Sequence, residues 1–197
     1  MKKLASIVSV LFLIMLMSSV LKSCSKEDNF GYRVYTIDKG DHYSDGPIDK
    51  LFGNDNKADS WEWEVIFDRS CIYSESDLFN PSNYLDVNKL IGFSDCDKHH
   101  SQYSCRVGWR ASGDSIELLI YKRDDNNISF KSLKKVYTDQ VVNITLQFKD
   151  SIYTSCIDGN CDTLDRSCSE WSGRKYSLFP FFGGQEVAPH EMKIRIK

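Results

Sequence analysis

Alternation of apolar and polar side chains, with little sustained helical periodicity, dominates the chain beyond its N-terminal apolar run. Tyr32-Arg33-Val34-Tyr35-Thr36-Ile37 is rich in aromatic and β-branched residues, as strands prefer. In Trp61-Glu62-Trp63-Glu64-Val65-Ile66-Phe67 a period of two sends Trp61, Trp63, Val65 and Phe67 to one face and Glu62 and Glu64 to the other. Further strands are expected over 105–110, 115–122, 128–130, 141–148, 176–182 and 192–197. Turn chemistry separates them, at Ala111-Ser112-Gly113-Asp114, Asp124-Asp125-Asn126-Asn127, Asp158-Gly159-Asn160 and Phe182-Gly183-Gly184. Short helices are expected only over 83–90 and, more weakly patterned, 131–137. Many short strands joined by such turns predict an all-β fold, an antiparallel sandwich or barrel.

Burying one large aromatic side chain contributes ~1.5–3 kcal/mol, which assigns the tryptophan face of the Trp61 strand to the core. Glu62 and Glu64 then lie on a sheet surface or line a concavity.

The N-terminus has a different pattern. Lys2 and Lys3 precede a run from Leu4 to Leu21 that is apolar apart from serines, followed by Lys22, Ser23 and Cys24. This is a signal-peptide layout, with an uncleaved membrane anchor as the structural alternative. A small residue directly before Cys24 resembles the lipobox of bacterial lipoproteins, and the resemblance makes Cys24 an acylated first residue and a lipid anchor in a membrane. Lys22 departs from the small or apolar residues usual at its place. Ser25-Lys26-Glu27-Asp28-Asn29 is charged and reads as a tether; in Bacteroidota-type lipoproteins a similar Lys-acid-acid stretch directs export to the surface of the outer membrane, while a plain solvated linker is the alternative. The expected organisation is a signal peptide over 1–23, a tether over 24–31 and one domain over 32–197.

With Cys24 given to lipid, Cys71, Cys96, Cys105, Cys156, Cys161 and Cys168 remain, an even number in a chain expected outside the cytoplasm. Disulfides are the natural reading. Six cysteines allow 15 pairings, and Cys96 with Cys105, which would close a polar loop, is the pair we expect first. No Cys-x-x-Cys pair supports a zinc site, and neither metal nor cofactor is expected.

Composition narrows the classes. The 197 residues are 41% hydrophobic and 13% aromatic with a formal net charge of −3, which fits a globular domain and removes the electrostatic case for nucleic-acid binding. Loss of 1–23 takes away three lysines and makes the chain more acidic still.

A resemblance adds to this. Asn88-Lys89-Leu90-Ile91-Gly92-Phe93-Ser94-Asp95, His99-His100, Ser104-Cys105-Arg106-Val107-Gly108-Trp109-Arg110, Leu178-Phe179-Pro180-Phe181-Phe182-Gly183-Gly184 and Ala188-Pro189-His190-Glu191-Met192-Lys193-Ile194 resemble segments of a group of secreted or lipid-anchored Bacteroidota proteins. That group is similar in plan to concanavalin A-like jelly rolls. The resemblance implies a jelly-roll sandwich and no particular activity, because such folds carry lectins, hydrolases and lyases alike.

Two sets of residues suggest chemistry. Glu62 and Glu64 have Cα atoms ~7 Å apart, near the separation glycoside cleavage needs, but no third acid follows on the same face. The segment 95–110 is the densest polar cluster. His100 could take a proton, Tyr103 could protonate a leaving oxygen and Arg106 could neutralise a carboxylate, the tools of a uronate-cleaving lyase. His99, His100, Tyr103, Arg106, Trp109 and Arg110 are the candidate ligand contacts, with a polar loop and a core Trp109 as the structural alternative. The leading expectation is a non-catalytic binding or structural module for polysaccharide on a lipid-anchored envelope protein. A polysaccharide lyase or glycosidase comes second, and an accessory subunit binding envelope proteins third.

Overall fold

The computed structural model describes residues 27–46, 58–125, 127–168 and 175–197. Cys24 and the expected signal peptide lie outside them. Eleven strands among these residues form two antiparallel sheets. One runs β1 (Arg33–Ile37), β11 (Met192–Ile196), β2 (Ser60–Phe67), β7 (Val142–Lys149), β8 (Ile152–Ile157), β9 (Asn160–Asp165). The other runs β10 (Ser177–Leu178), β3 (Asn88–Ser94), β4 (Tyr103–Ser112), β5 (Ser115–Asp124), β6 (Asn127–Val136). This is the all-β sandwich that the alternation predicts.

Period two builds the core. Cys105, Val107, Trp109 and Ala111 of β4 and Ile116, Leu118 and Ile120 of β5 face Val65 and Phe67 of β2, Ile144 and Leu146 of β7, and Ile194 of β11. The tight turns fall where their residues require them. Gly113-Asp114 closes β4 onto β5, and Asp158-Gly159 closes β8 onto β9 with φ of 45° and 83°, a left-handed pair that glycine adopts without strain.

Both expected helices are corrected. Over 83–90 the chain makes only a 3-10 turn, Pro81–Leu85, capped by Asn80, and then enters β3, because Val87, Leu90 and Ile91 gain more by packing in the sandwich than one helical turn offers. Over 131–137 the turn after Asp124 carries the chain back along β5, whose unpaired backbone β6 satisfies out to Val136. The strand expected over 176–182 contracts to β10, followed by single bridges from Phe181 to Tyr43 and Lys89.

The expected Cys96–Cys105 pairing is also corrected. Cys96 bonds Cys168, and Cys156 bonds Cys161 across the β8–β9 hairpin. Cys105 points from β4 into the core and is a buried thiol, as is Cys71. Burial raises both thiols far above their ordinary titration range.

The Cys96–Cys168 bond lies against a buried charged cluster. Asp95 receives two hydrogen bonds from Arg166, at 2.6 and 2.9 Å, and a third from the Tyr153 hydroxyl at 2.7 Å. Its carboxylate lies close to both cystine sulfurs. The sulfurs are oxidised and the carboxylate is committed to Arg166 and Tyr153, so this cluster does not suit a metal ion.

Candidate functional site

The outward face of the five-stranded sheet carries a different set of side chains from the core face. Ser104 and Arg106 point outward from β4, and Tyr121 and Arg123 from β5, with Arg106 opposite Tyr121 and Ser104 opposite Arg123. Lys89 comes from β3. Gly92 stands opposite Arg106, where a Cβ would lie 2.3 Å from the Cys105 carbonyl oxygen and 2.6 Å from Arg106 Cα, so only glycine lets the strands close here.

These residues line a cleft of about 200 Å³, completed by His100, Ser101, Tyr43, Phe181 and Gly184. Tyr43 is 68% exposed and stands edge-on to Phe181, at 5.0 Å between ring centroids. The wall they form is of the kind on which a sugar ring can stack.

The cleft is basic. Arg106 donates from Nη2 to the Phe179 carbonyl at 2.5 Å. Lys89 donates from Nζ to the Gly183 carbonyl at 2.8 Å and lies 5.4 Å from the Tyr121 ring and 5.7 Å from the Phe181 ring. Among the described residues neither Lys89 nor Arg123 makes an ion pair. Burial, reinforced by the Arg106 and Arg123 guanidiniums, lowers Lys89 to about 8 although Asp86 pulls the other way. Burial also raises Tyr121, so its phenol stays protonated near neutral pH.

At the end of the cleft a histidine and a tyrosine are coupled. The Tyr176 hydroxyl accepts from the His100 backbone N–H at 2.9 Å and lies 2.9 Å from His100 Nδ1, an arrangement in which the phenolic proton can point at the ring. Ser104 Oγ donates to the His100 carbonyl, and Tyr176 N–H donates to Ser94 Oγ. The loop and the strand that follows it are thereby tied together.

The sequence candidates scatter against this geometry. His100 and Arg106 line the cleft. Tyr103 has the parity of Cys105, lies at the opposite face of β4 and does not line it. His99 turns to Ser101 Oγ at 2.7 Å. Trp109 is fully buried against Phe67, Tyr73 and Phe182 and cannot contact a ligand. Arg110 is engaged by Glu117 at 2.7 Å and by the Leu85 carbonyl. Glu62 and Glu64 lie on the outer face of the other sheet, where Glu64 accepts from the Tyr32 hydroxyl at 2.7 Å, so they cannot act in the same cleft. Lys89, Tyr121, Arg123 and Tyr176 escaped the sequence reading. Their one signal is parity: Tyr121 and Arg123 are polar at alternate positions of a strand whose other face is Ile116, Leu118 and Ile120.

No protein-family model matches the chain, and no curated protein sequence does. Solved structures do. The fold is similar to that of alginate lyases. Alginate lyase AlyC3 superposes with a TM-score of 0.56 at 11% identity, over 87% of this chain and 75% of that one. Alginate lyase vAL-1 from Chlorella virus gives 0.53 at 16% identity, over 88% and 86%. The marine PL7 alginate lyase AlyA1 from Zobellia galactanivorans gives 0.50 at 12% identity, over 86% and 76%. The jelly-roll sandwich expected from the sequence therefore stands. The leading functional expectation, a non-catalytic binding or structural module, is overturned in favour of its lyase alternative: the similar solved structures named above are alginate lyases.

Proposed function

We propose that the protein is a polysaccharide lyase that cleaves an acidic, uronate-containing chain by β-elimination. The observation that carries this reading is the convergence of Lys89, Arg106 and Arg123 in one cleft, beside the coupled His100 and Tyr176, on a protein of net negative charge. Lys89 and Arg123 are half-buried and make no ion pair among the described residues, and a cation so placed is costly unless a ligand supplies the anion. A uronate carboxylate supplies it.

The chemistry follows from the charge. The proton at C5 of a uronate is weakly acidic, and cations held against the carboxylate spread the negative charge that develops when it leaves. A base removes that proton, the C5–H electron pair becomes the C4–C5 double bond, and the C4–O bond breaks. The departing oxygen needs a proton. In this reading Arg106 and Arg123 neutralise the carboxylate while His100 and Tyr176 handle the two proton transfers. Tyr43 and Phe181 hold a neighbouring sugar ring.

An extracellular polymer calls for a secreted or surface-anchored enzyme. The lipobox-like Ser23-Cys24 and the two disulfides support that placement. The test is incubation with alginate, polygalacturonate and hyaluronan while following the ultraviolet absorbance of the unsaturated uronate. Product from at least one, lost in Arg123→Ala, is expected; absence of unsaturated product from every one of these polymers overturns the proposal.

A further inference from the structure

We propose that Lys89 is the specificity-determining residue of the cleft, and that it captures the substrate carboxylate by taking up a proton as the acidic sugar enters. This rests on the lyase reading for the nature of the ligand. The geometry provides the device. Lys89 Nζ has three donor positions once protonated. One is used on the Gly183 carbonyl, and no carboxylate lies within ion-pair distance among the described residues. Arg106 faces it from β4, Tyr121 and Arg123 from β5, and Asp86 from the segment before β3. Two guanidiniums and partial burial work against an ammonium here; one carboxylate and two aromatic rings work for it.

The first group prevails in the empty cleft, so Lys89 gives up its proton at about pH 8. A carboxylate placed among the three bases reverses the balance and raises the midpoint. Below the free midpoint Lys89 is already charged, and binding takes up little. Between the free and bound midpoints, binding takes up close to one proton, and affinity falls about tenfold per pH unit as pH rises. A neutral polysaccharide gains nothing from the exchange. The cleft thereby discriminates between acidic and neutral chains of similar shape, through one lysine that, above its free midpoint, is charged fully only when the acidic ligand is bound.

Calorimetry on the full chain tests this, with oligomers of mannuronate, guluronate and galacturonate, and a neutral cello-oligosaccharide as control. Each titration is run in two buffers of different ionisation enthalpy, one pH unit above the Lys89 midpoint and again well below it. Lys89→Arg and Lys89→Met are run alongside, and the Lys89 signal is followed by NMR in lysine-labelled protein with and without oligouronate or sulfate. Uptake near one proton at the higher pH, little at the lower, and none in either variant are expected. Oligouronate binding without proton uptake, or uptake retained in Lys89→Met, overturns the role of Lys89 and leaves the lyase reading standing. If no oligouronate binds but sulfate raises the Lys89 midpoint, the lysine is an anion acceptor and the uronate reading fails. If neither acts on it, both fail.

Discussion

Replacing Asp95 by Ala is the sharpest test of what holds the His100 loop in place. Asp95 is fully buried and the Arg166 side chain is 2% exposed; their two hydrogen bonds, together with the Tyr153 hydroxyl, satisfy the carboxylate. Removing it leaves a guanidinium buried without this counter-ion, which costs about 3–5 kcal/mol. For a domain of this size each kcal/mol moves the melting point by about 2–4 °C, so the Tm should fall by about 6–20 °C. Asp95→Leu combined with Arg166→Met removes both charges and should recover most of the loss, since an apolar pair of similar volume avoids the desolvation penalty. Thermal unfolding followed by circular dichroism, with both disulfides intact, measures each variant. Because Asp95 and Cys96 begin the loop that carries His100, Asp95→Ala should also lower activity well below the unfolding temperature. A Tm within about 2 °C of the wild type, or a double variant no better than Asp95→Ala, would refute the reasoning.

Three further outcomes follow from the same structure. Arg106→Ala should lower kcat/KM for polyuronate elimination by about 10²–10³, the loss typical of one donor to developing negative charge, with Tm little changed. Tyr176→Phe keeps the ring but loses the oxygen beside His100 Nδ1; kcat should drop at least tenfold while KM stays within about twofold, as steady-state kinetics will show. Cys96→Ser with Cys168→Ser opens a cross-link spanning 72 residues and should cost about 4 kcal/mol in denaturant unfolding, against about 2 kcal/mol for the Cys156–Cys161 link spanning 5.

The site was legible in pieces. His100 and Arg106 stood out because the polar segment around them is dense, and the same density wrongly drew in Trp109, Tyr103 and Arg110. Parity along β4 separates Tyr103 and Trp109 from Arg106 at once, since both share the face of Cys105; Arg110 shares the face of Arg106 and is set apart by its bonds to Glu117 and the Leu85 carbonyl. Parity does not say which face is the core, and in a strand with buried residues on both sides the composition hardly tells them apart. Lys89 was harder still, a single charge in an apolar strand that owes its character first to its burial in the cleft and then to Arg106 and Arg123 on the next two strands.

The amino-acid pattern by itself determined that the chain would be strands, where most of its turns would lie, and that the two-tryptophan face of β2 would point inward. Those are local properties, set by backbone geometry, side-chain parity and the cost of leaving aromatic surface in water. Tertiary structure alone decided that Cys96 would meet Cys168, that the chain over 83–90 would give up a helix for a strand, and that Glu62 and Glu64 would lie on the opposite sheet from the cleft. It alone gathered Lys89, Arg106 and Arg123 from three strands into one pocket. Charges brought together across a sheet interact through space, and their separation along the chain carries no record of that distance.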